Sequence, residues 1–258
     1  MINTAITDRL ANIDGKFGVD YINLNTGQEF CFGNCQIFSG SGAIMLMTLI
    51  ECFRACESGE LDRDSRFRLT HKDYEDTDNP SYGVLKYLHE GIELTVSDLY
   101  NLIATVSDNV AFNILTDILG IEKINSTFRS LGYTEMKLNR KINDYESMSR
   151  GIQNFVSIRE IASIFHRMYL GRLISENVSE SLLSLLKQHQ RTSMIPYVFK
   201  ETVPVAHMTG FDEDIIIDGG IVLTENPFVL VMAAQDTDIR KAQTIMRDIT
   251  QICYLNTK

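Results

Sequence analysis

Apolar positions alternate in two-residue steps near both ends of the chain and recur at helical spacing through its middle. A polar, amphipathic stretch at 3–14 reads as a helix. Behind it "FGVDYINLN" and "EFCFGNCQIF" alternate as two strands, joined by Thr26 and Gly27. From Gly42 to about His189 the period is helical. Leu46, Leu49, Ile50 and Phe53 mark one face of the first helix, and "SGELD" closes it. Thr95 precedes "VSDLYNLIATV" with Asp98 three residues on, a capping box. "NVAFNILTDILG" and "EKINSTFRSLG" each stop at glycine, and "VSIREIASIFHRMYLG" and "SENVSESLLSLLKQH" follow. The chain then returns to strands, "VPVAHMTG", "DIIIDGGIVLT" and "PFVLVMAAQ", and closes on the helix "DIRKAQTIMRDITQICYL".

This order predicts an α/β (α+β) protein whose sheet is built from both chain ends, with a helical lobe inserted between them. The expected boundaries are 1–41 plus 195–258 for the sheet lobe and 42–194 for the helical lobe, the two forming one compact unit. No internal repeat or low-complexity linker interrupts the pattern.

Charge narrows the functional classes. The net charge is −10 over 258 residues, dispersed, with no basic tract to neutralise phosphates, so nucleic acid is excluded as a partner. The opening "MINTAITDRLANID" lacks the apolar core of a signal peptide. The longest apolar run, Ala43 to Ile50, is too short for a bilayer, so no membrane association is expected. As written the chain reads as cytoplasmic, or as exported if a leader has been removed. Five cysteines, an odd number mostly in apolar segments, suggest reduced thiols. Cys31 and Cys35, and Cys52 and Cys56, are four apart and would share a helix face, but no histidine lies at ligand spacing. Neither a metal nor a cofactor is expected.

Three short polar stretches fall where the lobes would join: the turn Ser39 to Gly42, "SDN" at 107–109 and "HMTG" at 207–210. Such junctions are a usual place for a ligand cleft. Taken singly, each is a cap or a turn. Taken in order, they resemble the class A serine β-lactamases and the penicillin-binding-protein-like serine hydrolases, with their Ser-x-x-Lys, Ser-Asp-Asn and Lys-Thr-Gly motifs. The resemblance extends over nearly the whole chain, through "GIELTVSDLYNLIATVSDNVAFNILTDILG", "NRKINDYESMSRGIQNFVSIREIASIF" and "VPVAHMTGFDEDIIIDGGIV". It implies a β-lactamase/transpeptidase-like fold, with an antiparallel sheet, flanking helices and an all-helical insertion. It further implies hydrolysis of β-lactam-, peptide- or ester-like substrates.

The departures from those motifs decide what to expect. Counting four from Phe38 puts Gly42 at the serine position and Met45 at the lysine position, and counting back from Gly59 gives the same register. Ser41 could serve only through a one-residue shift that leaves Ile44 where the lysine belongs. Ser107, Asp108 and Asn109 complete the second motif, while the third reads Met208, Thr209, Gly210. The counterpart of the class A glutamate base falls near Ile142, with Asp144 and Glu146 close by but out of register. A serine hydroxyl without a neighbouring base is a poor nucleophile, and losing either group costs on the order of a millionfold in turnover.

What the resemblance leaves is a binding apparatus. The backbone N–H groups of Gly42 and Phe211 would form the oxyanion hole, and Ser107, Asn109, Thr209 and Gly210 would contact a ligand. With methionine at 45 and 208, a small neutral or partly apolar molecule is the expected ligand, because an anion would lack counter-charges. Three readings stay open. The first is a non-hydrolytic pseudoenzyme that binds a ligand or partner. The second is a hydrolase using Ser107 or Ser41 as nucleophile, with His207 or an acid of the 143–146 loop as base. On a strand, however, His207 would face away from Met208. The third is a fold kept only for assembly. His207 and Asp212, beside the third motif, otherwise read as strand-end residues.

Overall fold

The computed structural model describes residues 2–11, 13–74, 81–199 and 203–257. The chain divides into two compact units, Met1–Ala43 with Phe155–Lys258, and Ile44–Asn154.

The first unit opens with α1 (Ile2–Leu10), β1 (Lys16–Asn23), β2 (Glu29–Gly33) and β3 (Ile37–Ser39). "EFCFGNCQIF" is therefore two strands. Gly33 has φ +98°, and Asn34 turns its side chain on β1, accepting from the Phe17 amide at 2.9 Å and donating to the Gly15 carbonyl. The chain thus leaves the sheet at the glycine, and the three residues of β3 pair elsewhere in the unit.

The second unit carries α2 (Met45–Glu57), β4 (Arg66–Arg68), β5 (Glu93–Thr95), α3 (Val96–Val106), α4 (Asn109–Leu119), α5 (Ile121–Ser130) and α6 (Tyr145–Ser149). It is not all-helical, since β4 and β5 pair antiparallel with Phe67 opposite Leu94. Helix α2 is buried at ten of its thirteen positions and packs against α3, α4 and α5. Its polar residues are paired inside the unit. Thr48 meets Thr116 at 3.2 Å, and buried Glu51 accepts from Arg54 and from Thr127 Oγ1 at 2.6 Å. Thr95 and Asp98 form the reciprocal capping box of α3.

The chain then re-enters the first unit through β6 (Phe155–Ser157), α7 (Ile158–Tyr169), α8 (Glu176–Leu186), β7 (Val205–Phe211), β8 (Ile215–Val222), β9 (Phe228–Gln235) and α9 (Ile239–Asn256). Five strands form an antiparallel sheet in the order β2-β1-β9-β8-β7, and β3 pairs with β6. One face of the sheet carries Phe17, Val19, Tyr21, Leu230 and Met232 into a core with α1 and α9. The other face is covered by α7, and α8 packs on α7 and β7. Two glycines admit α7: a Cβ at Gly18 would lie 2.7 Å from Ile158 Cδ1, and one at Gly219 would lie 3.1 Å from Ile161 Cγ2. Residues 155–194, expected with the helical lobe, thus sit on the sheet. Among the described residues no helix is long and apolar enough to cross a membrane.

Candidate functional site

The candidate residues lie on both units, and each set has its own geometry. On the sheet unit, Ser41 takes a strained φ of +23° and leads into a 3-10 turn at Gly42–Ile44, from which α2 begins. The turn lies against β7, the edge strand of the sheet. A Cβ built on Gly42 would come within 2.8 Å of the Thr209 carbonyl oxygen and 3.2 Å of Gly210 Cα. A Cβ on Gly210 would meet Ser41 Oγ at 2.7 Å and the amide nitrogens of Gly42 and Ala43 at 2.9 Å. Each glycine is therefore required by the other's backbone. The Asp212 amide donates to Ile215 on β8, so by strand alternation the Phe211 N–H points away from β8, to the free edge.

Alternation also sorts the third motif. Thr209 lies opposite Asp218 in the register and donates its hydroxyl to Asp218 Oδ1 at 3.0 Å. His207, on the same face, places Nδ1 2.8 Å from the same oxygen. Asp218 Oδ2 accepts from the Ile195 amide at 3.0 Å. Met208 projects to the other face and is 2% exposed. The Thr209 hydroxyl, expected to serve a ligand, is thus buried and committed to Asp218. Asp212 is exposed and closes the turn by accepting from the Glu213 amide.

On the helical unit, Met45 is the first residue of α2 and is buried. Ser107 ends α3 in the left-handed conformation, φ +56°, and its N–H returns to the Ile103 carbonyl. Its hydroxyl oxygen is buried with no hydrogen-bond partner among the described residues, as is that of Ser41. Asp108 caps α4 by accepting from the Ala111 amide at 3.0 Å. Its other oxygen accepts from the amides of Val84 at 2.6 Å and Leu85 at 2.9 Å. Gly83, at φ +105°, is obligatory beside it, since a Cβ there would lie 2.3 Å from the Asp108 carboxyl carbon. The buried Asn109 begins α4 and donates its amide to the Tyr82 carbonyl.

The 139–154 loop is fixed by asparagines. Asn113 clamps Ile142 through both its amide and its carbonyl, and Asn154 accepts from the amides of Asn139 and Arg140. Asp144 caps α6. Burial raises its pKa, but the hydrogen bonds from Ser147 outweigh that and hold it below the usual value. Glu146 is exposed and ion-paired with Arg150. Asp144 thus lacks the raised pKa of a general base.

All five cysteines carry free thiols. Cys31 and Cys35 are not on a helix: Cys31 lies on β2 and Cys35 in the turn after it. Cys52 and Cys56 do share one face of α2, where a hydrogen bond between them lowers the Cys56 thiol to about 7 and raises Cys52. Cys31 donates to Asp20 Oδ2 at 2.8 Å, with Glu29 close by, the one group among the described residues with metal-ligand spacing. Burial pushes the Asp20 carboxyl up to about 6.

Sequence reasoning missed three residues here. Gly83, Asp218 and Gly220 shape the strands and turns around the motifs. Their signals, "YG" and "DGG", carry no chemistry of their own.

A family model described as the β-lactamase enzyme family matches residues 1–256. The chain belongs to the β-lactamase enzyme family. Among solved structures it is similar to a β-lactamase from Sphaerobacter thermophilus, at 26% identity over 99% of this chain and 96% of that one, TM-score 0.86. It shares its fold with PBP-A, at 21% identity over 99% and 95%, TM-score 0.87. It also shares it with a β-lactamase from Chitinophaga pinensis, at 18% identity over 100% and 99%, TM-score 0.90. No curated protein sequence matches the chain. The β-lactamase/transpeptidase-like fold expected from the motifs is thereby established.

Proposed function

We propose that this family member is a pseudoenzyme: it binds a ligand or partner and forms no acyl intermediate. The observation that carries the reading is the approach of the Thr209 carbonyl to Gly42. At 2.8 Å from an ideal Cβ position, that oxygen occupies space that any side chain at the nucleophile position would need. The protein lacks the nucleophile and has closed over its place. A buried Met45 and a buried Met208 stand at the two lysine positions, so no cation is offered where the family places one.

The same substitutions define the ligand class. An anion at the position of Met208 on the sheet unit would be desolvated with no counter-charge there, whereas a neutral, partly apolar molecule would meet a polarisable thioether that adapts to its shape. Penicillin G and its methyl ester separate the two cases. The neutral ester is expected to bind more tightly than the carboxylate, and Met208→Lys is expected to reverse that order. Preference for the carboxylate in the parent protein would overturn the assignment. Hydrolysis through Ser107 or Ser41 is not favoured by any contact among the described residues, where neither hydroxyl has a hydrogen-bond partner that could take its proton.

A further inference from the structure

The sheet unit contains a cavity of about 410 Å³ that the family motifs do not use. Its polar lining among the described residues is Lys187, His189, Thr192 and His207, in a chain whose net charge is −10. Its apolar lining includes Tyr197, Val203, Pro204 and Val205. A volume of this order is that of a small-molecule site, typically about 300–1,000 Å³. A lysine ammonium lining a concavity attracts anions to it.

The cavity is built around Asp218. This fully buried carboxylate takes three donors: His207 Nδ1, the Thr209 hydroxyl and the Ile195 amide. An ionised carboxylate only accepts, so Nδ1 carries a proton and the ring orientation is fixed. The remaining ring nitrogen, Nε2, is buried and has no hydrogen-bond partner among the described residues. Leaving such an atom unsatisfied is costly, and a ligand group would relieve it. The sheet makes room for this histidine deliberately. Gly220 lies opposite it in the register, where a Cβ would stand 2.5 Å from His207 Cβ. His189 meets the ring edge-on, with centroids 4.8 Å apart. The wall at 193–197 is tied down from two sides. Ile195 is held by Asp218, while Arg247 of α9 bonds the Ser193 carbonyl at 2.8 Å and stacks on Tyr197 at 3.9 Å.

We propose that this cavity is a binding site for a small organic oxyanion with an apolar body, held by the Lys187 ammonium and by His207, whose Nε2 bonds the ligand in its N–H form. Asp218 is a positioning residue: it fixes the ring through Nδ1 and the wall through the Ile195 amide. The site faces away from Met208 on the strand, so it stands or falls independently of the pseudoenzyme reading.

Amide shifts of the full chain, followed by two-dimensional NMR, test this with benzoate and phenyl phosphate as probes. Benzyl alcohol is the neutral control and inorganic phosphate the control without an apolar body. Both organic anions are expected to give saturable shifts at Ile195, Val205 and His207, with both controls weaker. Lys187→Ala, at an exposed position, and His207→Gln should each weaken benzoate about tenfold, the loss of one hydrogen bond to a charged group. Absence of saturable shifts up to about 20 mM would overturn the proposal. So would a Lys187→Ala protein that binds benzoate like the parent, or controls that bind equally well.

Discussion

On the proposed register Gly42 does two things at once: it removes the hydroxyl that the family uses, and it lets the chain settle onto the edge of β7. Adding even a methyl group there puts a Cβ 2.8 Å from a backbone carbonyl, which cannot rotate away as a side chain would. Gly42→Ala is therefore expected to destabilise the protein by about 1–3 kcal/mol, the range for overpacking, measured by urea unfolding. An unchanged midpoint would show that the turn has slack. Restoring the family residues with Gly42→Ser, Met45→Lys and Met208→Lys meets the same obstacle. Asp20 provides a second test at this scale. Its folded-state pKa of about 6 lies above the ordinary 3.8, so the folded state binds the proton more tightly and stability falls as pH rises through that window. Asp20→Asn should gain on the parent between pH 4 and pH 7, approaching about 3 kcal/mol. An equal difference at both pH values would contradict the raised pKa. Spacing to Phe38 and Gly59 suggests the register of Gly42 and Met45 but carries no trace of the closure over Gly42, which depends on a carbonyl more than 160 residues away in sequence.

Among the elements, the Ser-Asp-Asn stretch is the join between two helices. Ser107 ends α3, Asp108 caps α4, and the same carboxylate holds the backbone at 84–85. Its presence thus follows from the architecture and by itself carries no implication of activity. Asp108→Ala should remove the cap and strand two amides. The expected loss is about 3–5 kcal/mol in chemical denaturation, and a loss under about 1 kcal/mol would mean the clamp is unimportant. Most elements could be read from hydrophobic period alone, including the capping box at Thr95 and Asp98. Two could not. The break at Gly33 comes from a positive φ and from hydrogen bonds of Asn34, which leave no trace in periodicity. Helix α7 was assigned to the wrong lobe because an amphipathic pattern shows that one face is buried but not whether a helix or a sheet covers it. Gly18 and Gly219, which admit its Ile158 and Ile161, are the residues that record the sheet.

For the whole molecule, fold and family follow from motif order across 258 residues, and the matched family spans residues 1–256. Chemistry does not follow from either, since a shared fold hosts many functions and activity resides in particular side chains. On the proposed register both lysine positions are methionine and the serine position is Gly42, which packs against β7. Removing a nucleophile or its base from a serine hydrolase costs on the order of a millionfold, so even long exposure should leave the protein unmodified. The most direct measurement is the intact mass of the purified chain after prolonged incubation with excess penicillin G and, separately, an activated ester. The unmodified mass in both cases is the predicted result. A stoichiometric increase that maps to Ser41 or Ser107 and disappears on mutation of that serine to alanine would contradict the account.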